Sequence, residues 1–143
     1  MTTMTAQDTL TTGRALLDAL NAHDLSDWEA VLADDAICSY PGFRGENGKE
    51  AARAYNAPFL VAFSDLHFEV LRTVAEGDTV VYVWNATGTH DGPLALPTGT
   101  VPPTSKRGEV PGTLVVTMKD GKIIREETYW NQVELLAQLG LMG

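Results

Sequence analysis

Cysteine is almost missing: Cys38 stands alone in 143 residues, so no internal disulfide can form and the fold must rest on its own core. Three histidines, His23, His67 and His90, lie too far apart for an HxH or HExxH pair. With no second cysteine either, no metal and no other cofactor is expected. Positive charge is scarce. Lys and Arg number 10 against 19 Asp and Glu, the net charge is −9, and the densest basic stretch is Lys106-Arg107. That balance leaves no surface suited to nucleic-acid phosphates or anionic membranes, and neither is expected as a partner. No stretch approaches the about 20 apolar residues of a membrane span, and MTTMTAQDTL at the start has no apolar signal-like core. A lone cysteine fits a reducing compartment. The expectation is a cytoplasmic protein acting on something small and not strongly anionic.

What is present fits a single domain over residues 1–143, large enough to bury a real core. Residues 1–5 are expected to fray. From Ala6 to Asn21, Leu10, Leu16, Leu17 and Leu20 with Gly13 give the apolar stripe of an amphipathic helix. Ser26-Asp27-Trp28-Glu29 has the form of a capping box, opening a short helix that buries Trp28, Val31 and Leu32 and ends near Asp34. Ala36 to Tyr40 reads as a strand stopped by Pro41-Gly42, and Phe43 to Gly48 as a loop. Lys49 to Phe63 reads as a helix with Ala52, Tyr55, Phe59 and Phe63 on one face and Pro58 inside it. Strands follow at Leu66–Val74 and Thr79–His90, with a turn at Glu76-Gly77-Asp78. Asp91 to Gly108, rich in proline, reads as a long flap with one short strand piece. Gly112–Met118 and Lys122–Asn131 form a hairpin, because Asp120-Gly121 supplies the positive φ values that a tight turn needs. A helix closes the chain, with Val133, Leu136 and Leu139 on its stripe. His23, in a turn between helices, and His67, opposite the core face of its strand, are expected to meet solvent.

Helices followed by consecutive strands are the α+β pattern, with helices packed on one face of an antiparallel sheet. Four segments in this order carry a resemblance: LNAHDLSDWEAVLADDA (20–36), FSDLHFEVLRTVAEGDTVVYVWNATGTHDGP (63–93), PPTSKR (102–107) and DGKIIREETYWNQVELLAQLG (120–140). Together they resemble the SnoaL-like polyketide cyclases within the nuclear transport factor 2-like superfamily. The resemblance implies a curved antiparallel sheet wrapped around N-terminal helices, with a cone-shaped pocket between them. It also implies a homodimer through the open sheet face, for which Val115, Thr117, Ile123 and Tyr129 are suitable. Family cyclases close a ring by an intramolecular aldol reaction with an aspartate acid/base on the last strand. In this chain that position falls on Thr128. The assisting histidine and glutamine fall on Leu114 and Gly112, and a first-strand asparagine falls on Cys38. A threonine hydroxyl cannot act as the base at neutral pH, so the family chemistry does not carry over at any of the four positions.

Other residues then become candidates. The resemblance turns Ile124, Glu126, Thr128 and Trp130 inward and leaves Ile123, Arg125, Glu127 and Tyr129 on the far face. Glu126 is then either a pocket carboxylate with a raised pKa or a solvated, Arg-paired surface residue. On the long central strand, Tyr82, Trp84, Ala86, Gly88 and His90 share a face. His90 is either an acid/base at the pocket mouth or a histidine that holds the Pro-rich flap. Cys38 reads as a small buried apolar residue. The residues expected to line the pocket are Tyr40, Tyr82, Trp84, Leu114, Thr128 and Trp130, around a small, flat apolar or carbonyl molecule. Two functions follow: a binder of such a molecule without the aldol acid/base, or an active cyclase- or isomerase-type enzyme using His90 or Glu126.

Overall fold

The computed structural model describes residues 6–142, without the side chains of Ala6 and residues 43–47; the fraying expected at residues 1–5 lies outside the described residues. The first helix, α1 (Ala6–Asn21), buries Leu16, Leu17 and Leu20. Its Gly13 lets the helix settle onto the sheet, since a Cβ there would strike the Tyr82 hydroxyl and the Met118 side chain. Asn21 then clamps a strand edge: its amide donates to the Phe68 carbonyl at 3.0 Å and accepts from the Phe68 N–H at 2.7 Å. His23 is half-buried rather than solvated, because its positive φ turns the ring so that Nε2 meets the Leu66 carbonyl at 3.1 Å.

Helix α2 (Leu25–Ala30) buries Trp28, but its cap is not Ser26. The Asp24 Oδ1 accepts from the N–H groups of both Ser26 and Asp27 at 3.0 Å, so one carboxylate oxygen satisfies two of the helix's otherwise unpaired donors. The helix ends at Ala30, and β1 (Leu32–Tyr40) begins at once, so Leu32 is a strand residue. The expected loop at Phe43–Gly48 is instead β2 (Phe43–Asn47), pairing back on β1 across a turn with Gly42 at φ 76.

Helix α3 (Lys49–Ala62) is followed by β3 (His67–Glu76) and β4 (Thr79–Thr89), then a small hairpin, β5 (Leu94–Leu96) with β6 (Gly99–Val101), where one strand piece was expected. The long pair β7 (Arg107–Lys119) and β8 (Lys122–Trp130) turns at Asp120 and Gly121, with φ 52 and 80. The chain ends in α4 (Gln132–Gln138), capped by the Asn131 side chain accepting from the Glu134 N–H at 3.2 Å. Its inward stripe is Leu135 and Leu139, while Val133 is 57% exposed. Among the described residues no helix is long and apolar enough to cross a membrane.

The main sheet runs β2-β1-β8-β7-β4-β3. It is mixed rather than wholly antiparallel, because β1 and β8 pair in parallel. On β4, burial alternates strictly from Val80 to His90, giving one face to the core and the other to solvent. On β8 the alternation breaks once. Met118 pairs with Ile123 and Thr117 with Arg125, so Ile124 is an extra, bulged residue. The bulge turns Ile123 fully inside, not outward as strict alternation predicts, while Glu126, Thr128 and Trp130 keep the inward face.

The cap predicts a stability contrast measurable by chemical denaturation. Asp24→Ala should cost about 1 kcal/mol, the typical loss for an N-cap. Ser26→Ala should cost no more than about 0.5 kcal/mol, as for exposed positions without special roles.

Candidate functional site

The inner sheet face and helices α1 and α3 enclose a cavity whose walls are almost entirely apolar. Leu16, Leu17 and Leu20 come from α1; Tyr55, Asn56 and Phe59 from α3; and Trp84, Leu114, Thr128 and Trp130 from the sheet. The cavity volume is about 90 Å³, room for more than one water. The aromatic rings brace one another. Tyr40 stacks on Tyr55 with centroids 4.1 Å apart and planes 11° off parallel, and Phe59 meets Trp130 edge-on at 5.6 Å. Phe68 meets Trp84 edge-on at 5.0 Å. The Trp130 indole N–H donates to the Tyr55 hydroxyl at 3.2 Å.

Glu126 opens into this apolar space with only 3% of its surface exposed. One oxygen, Oε1, accepts from the Thr128 hydroxyl at 2.6 Å, while Oε2 has no hydrogen-bond partner. Burial raises the carboxyl from its ordinary 4.5 to about 7, against the Thr128 hydrogen bond and the nearby Tyr40 and Cys38 side chains, which favour the charged form. The neighbours respond in turn. Burial and then the Glu126 charge push the Cys38 thiol up to about 12 and the Tyr40 hydroxyl well above its usual range. Both stay neutral donors at physiological pH. Glu126 is thus the pocket carboxylate of the two environments the sequence allowed, and not a surface residue.

Of the six residues that the sequence pointed to as pocket lining, Tyr40, Trp84, Leu114, Thr128 and Trp130 line the cavity, together with Glu126. Tyr82, the sixth, does not, and neither does His90. Tyr82 shares the inward face but sits under α1, where its hydroxyl donates to the Leu10 carbonyl at 2.6 Å. His90 is fully buried behind Phe63, 5.4 Å between ring centroids. Its Nδ1 lies 3.0 Å from the Thr104 hydroxyl and accepts from the Thr104 N–H at 3.2 Å, while its backbone exchanges hydrogen bonds with Ser105 and Lys106. It anchors the Pro-rich segment, the second of its two possible roles. The space above Gly88 is also partly filled, since a Cβ there would lie 3.1 Å from Phe63. His67 is exposed.

Sequence reasoning passed over Tyr55, Asn56 and Phe59 as site residues. Tyr55 and Phe59 were legible as an apolar helix stripe, and nothing in that spacing distinguishes a cavity wall from a packed core. Asn56 follows Tyr55 at the edge of the stripe; an amide so close to an aromatic face was the signal available. Among the described residues no three His, Cys, Asp or Glu side chains gather as metal ligands would.

Leu114 pairs with Thr128, Gly112 with Trp130, and Cys38 with Glu126 across the sheet. The cavity's carboxylate therefore sits one inward-facing step before Thr128. A family profile for the SnoaL-like domain matches residues 13–126. The chain belongs to the SnoaL-like domain family. Solved SnoaL-like and related structures agree in shape. AclR, a candidate hydroxylase from Streptomyces galilaeus, is 25% identical with a TM-score of 0.83, covering 95% of this chain and 83% of its own. IdmH, a candidate polyketide cyclase from Streptomyces antibioticus, is 28% identical with a TM-score of 0.78, covering 92% and 98%. A candidate SnoaL-like polyketide cyclase from Jannaschia sp. CCS1, 22% identical with a TM-score of 0.83, shares the fold over 100% of this chain and 99% of its own. No curated protein sequence matches significantly.

The carboxyl in this SnoaL-like cavity predicts a pH-dependent stability. An acid whose pKa is higher folded than unfolded stabilises the fold at low pH, and the benefit is lost as pH rises from 4.5 through about 7. Glu126→Gln should match the parent below that window and exceed it by up to roughly 3 kcal/mol above. Urea denaturation at several pH values measures the difference; a gap that does not change with pH would place the titration elsewhere.

Proposed function

We propose that this SnoaL-like protein is an acid/base enzyme acting on a small, flat, mainly apolar carbonyl compound, with Glu126 carrying the proton. The observation behind this is the isolated carboxyl, half-ionised near neutrality at about 7, in a cavity otherwise walled by aromatic and aliphatic groups. A base poised near the working pH is the optimum for proton transfer. In the charged form, Glu126 would take a proton from the carbon beside the carbonyl, and the C–H electron pair would move onto the carbonyl oxygen as an enolate. Where the substrate carries a double bond conjugated with that enolate, the resulting glutamic acid would return the proton to the far carbon of the dienolate, which is isomerisation. Alternatively the enolate carbon would attack a second carbonyl of the same molecule, with the proton going to the new alkoxide, which is ring closure. The hydroxyl groups of Tyr40 and Tyr55 stand in the wall, and such groups can hydrogen-bond the oxygen where charge develops.

A second reading, binding without turnover, draws on the residues at the positions where family cyclases hold their polar groups. Cys38, Gly112, Leu114 and Thr128 give no carboxylate there.

Deuterium exchange decides between the two. The α-protons of tetralone in heavy water should exchange faster with the protein than without it. Glu126→Gln should reduce that rate about 10²–10⁴-fold, while tryptophan fluorescence still reports ligand entry. Trp84→Ala should weaken binding in the same assay. Binding with no protein-dependent exchange would favour the second reading.

The outer sheet face supports a homodimer. Val74, Val81 and Val115 are paired in one row across β3, β4 and β7; Glu127 continues the row on β8, and Tyr129, two residues further along and paired with Thr113, is 48% exposed. Ile123, suitable on strict alternation, is inside and cannot take part. Sedimentation at micromolar concentration should give twice the chain mass, and a strictly monomeric mass would count against the pairing.

A further inference from the structure

The register of the sheet lays the cavity out in depth. On the inner face, Glu126 pairs with Val116, and Val116 with Val80. Thr128, Leu114 and Tyr82 make the next row, and Trp130, Gly112 and Trp84 the one after. Val110 with Ala86, then Gly108 with Gly88, complete the series. Each row puts at least one residue into the cavity wall. Val116 and Gly108 stand eight residues apart on β7, roughly 26 Å along the strand at ~3.3 Å per residue. The cavity is therefore elongated, and its two ends differ.

Glu126 and Thr128 make one end polar. Oε1 of the carboxyl accepts from the Thr128 hydroxyl, so a proton on the acid falls to Oε2, which has no hydrogen-bond partner. At the other end two glycines are paired side by side, and each carries a bulky side chain from another segment. A Cβ at Gly108 would lie 2.7 Å from Leu135 Cδ1, and one at Gly88 would lie 3.1 Å from Phe63. Leu135 and Phe63 are both buried and both line the cavity, so this end is closed. Helix α4 holds Leu135 in place. The Gln138 side chain accepts from the Glu109 N–H at 2.6 Å and donates to the Glu109 carbonyl at 2.8 Å, which pins the helix to β7.

We propose that Leu135 and Phe63, seated on Gly108 and Gly88, are the end stop of a site for terminal carbonyl compounds, bound with the carbonyl at Glu126 and a narrow apolar remainder running past Trp84 and Trp130 toward the stop. The polar end offers the carbonyl a hydrogen from Oε2. The apolar end offers the remainder nothing but burial, so length decides affinity there. Leu135 is the specificity-determining residue of the pair, because Phe63 also packs against His90.

This inference rests on the carbonyl reading of the Glu126 site, and its test reads binding rather than proton transfer. Straight-chain methyl ketones of increasing length would be titrated against the full-length protein by tryptophan fluorescence. Affinity should rise about fourfold per methylene, the worth of one buried CH2, until the tail meets the stop, and then level or fall. Leu135→Ala should move that break about two to three carbons longer, matching the side-chain length removed. Leu135→Phe should move it shorter. Leu135→Val, moving it by about one carbon, keeps the comparison available if alanine unseats α4. Ketones with the carbonyl at mid-chain should bind about tenfold more weakly than methyl ketones of the same carbon count, for want of the hydrogen bond at Oε2. No break in the parent, a break at one length in every variant, equal binding of mid-chain ketones, or no ketone binding at all would each overturn the proposal. A break that moves with residue 135, without protein-dependent deuterium exchange, would uphold the end stop and sink the proton-carrying role of Glu126.

Discussion

A carboxyl group held among aromatic and aliphatic side chains is the constraint around which this fold is arranged. Taking an unpaired carboxylate out of water is costly enough that the group holds its proton instead. Glu126 stands between those limits. The Thr128 hydrogen bond, with Tyr40 and Cys38 close by, keeps the ionised form accessible, and burial keeps it from dominating. Cys38 and Tyr40 come from β1, and the parallel pairing of β1 with β8 sets Cys38 opposite Glu126. In the wholly antiparallel sheet expected from the strand order, that neighbour relationship would not arise.

The helices complete the same arrangement from the other side. Helix α3 brings Tyr55 against Tyr40 and Phe59 against Trp130, so the wall opposite the carboxyl is rigid. Helix α1 closes the space, anchored at one end by the Tyr82 hydroxyl and at the other by the Asn21 clamp on β3. The dry surroundings that perturb Glu126 are therefore a property of packing between distant segments and not of the local strand.

That division explains what could be read from the chain beforehand. The α+β order, the hairpin at Asp120-Gly121 and the inward face of Trp84 follow from local periodicity and turn chemistry, and the structure agrees with them. The SnoaL-like resemblance was legible too, because it lay in the order of many weak segments. Ile123 was misplaced because a bulge has no period, and β2 was missed because PGFRGENG carries turn residues throughout its length. His90 shows a further limit: alternation assigns a face correctly, yet Phe63, arriving from another part of the chain, decides whether that face meets the cavity. The environment of Glu126 was undecidable for the same reason, since its strand neighbours Arg125 and Glu127 point to solvent chemistry while its face does not.

Gly112 has no side chain because the Trp84 ring already fills that place: a Cβ at 112 would overlap the indole directly, and the two residues are paired across β4 and β7. An aromatic wall at 84 and a polar side chain at 112 thus compete for one volume. Any lineage or design that moves between this cavity and one with a polar group at 112 must therefore change both residues. Shrinking Trp84 alone leaves a void that costs typically about 3–5 kcal/mol, and enlarging Gly112 alone forces overpacking that costs typically about 1–3 kcal/mol. Each single exchange meets a barrier, so the two kinds of pocket are separated by a valley that only the paired exchange avoids.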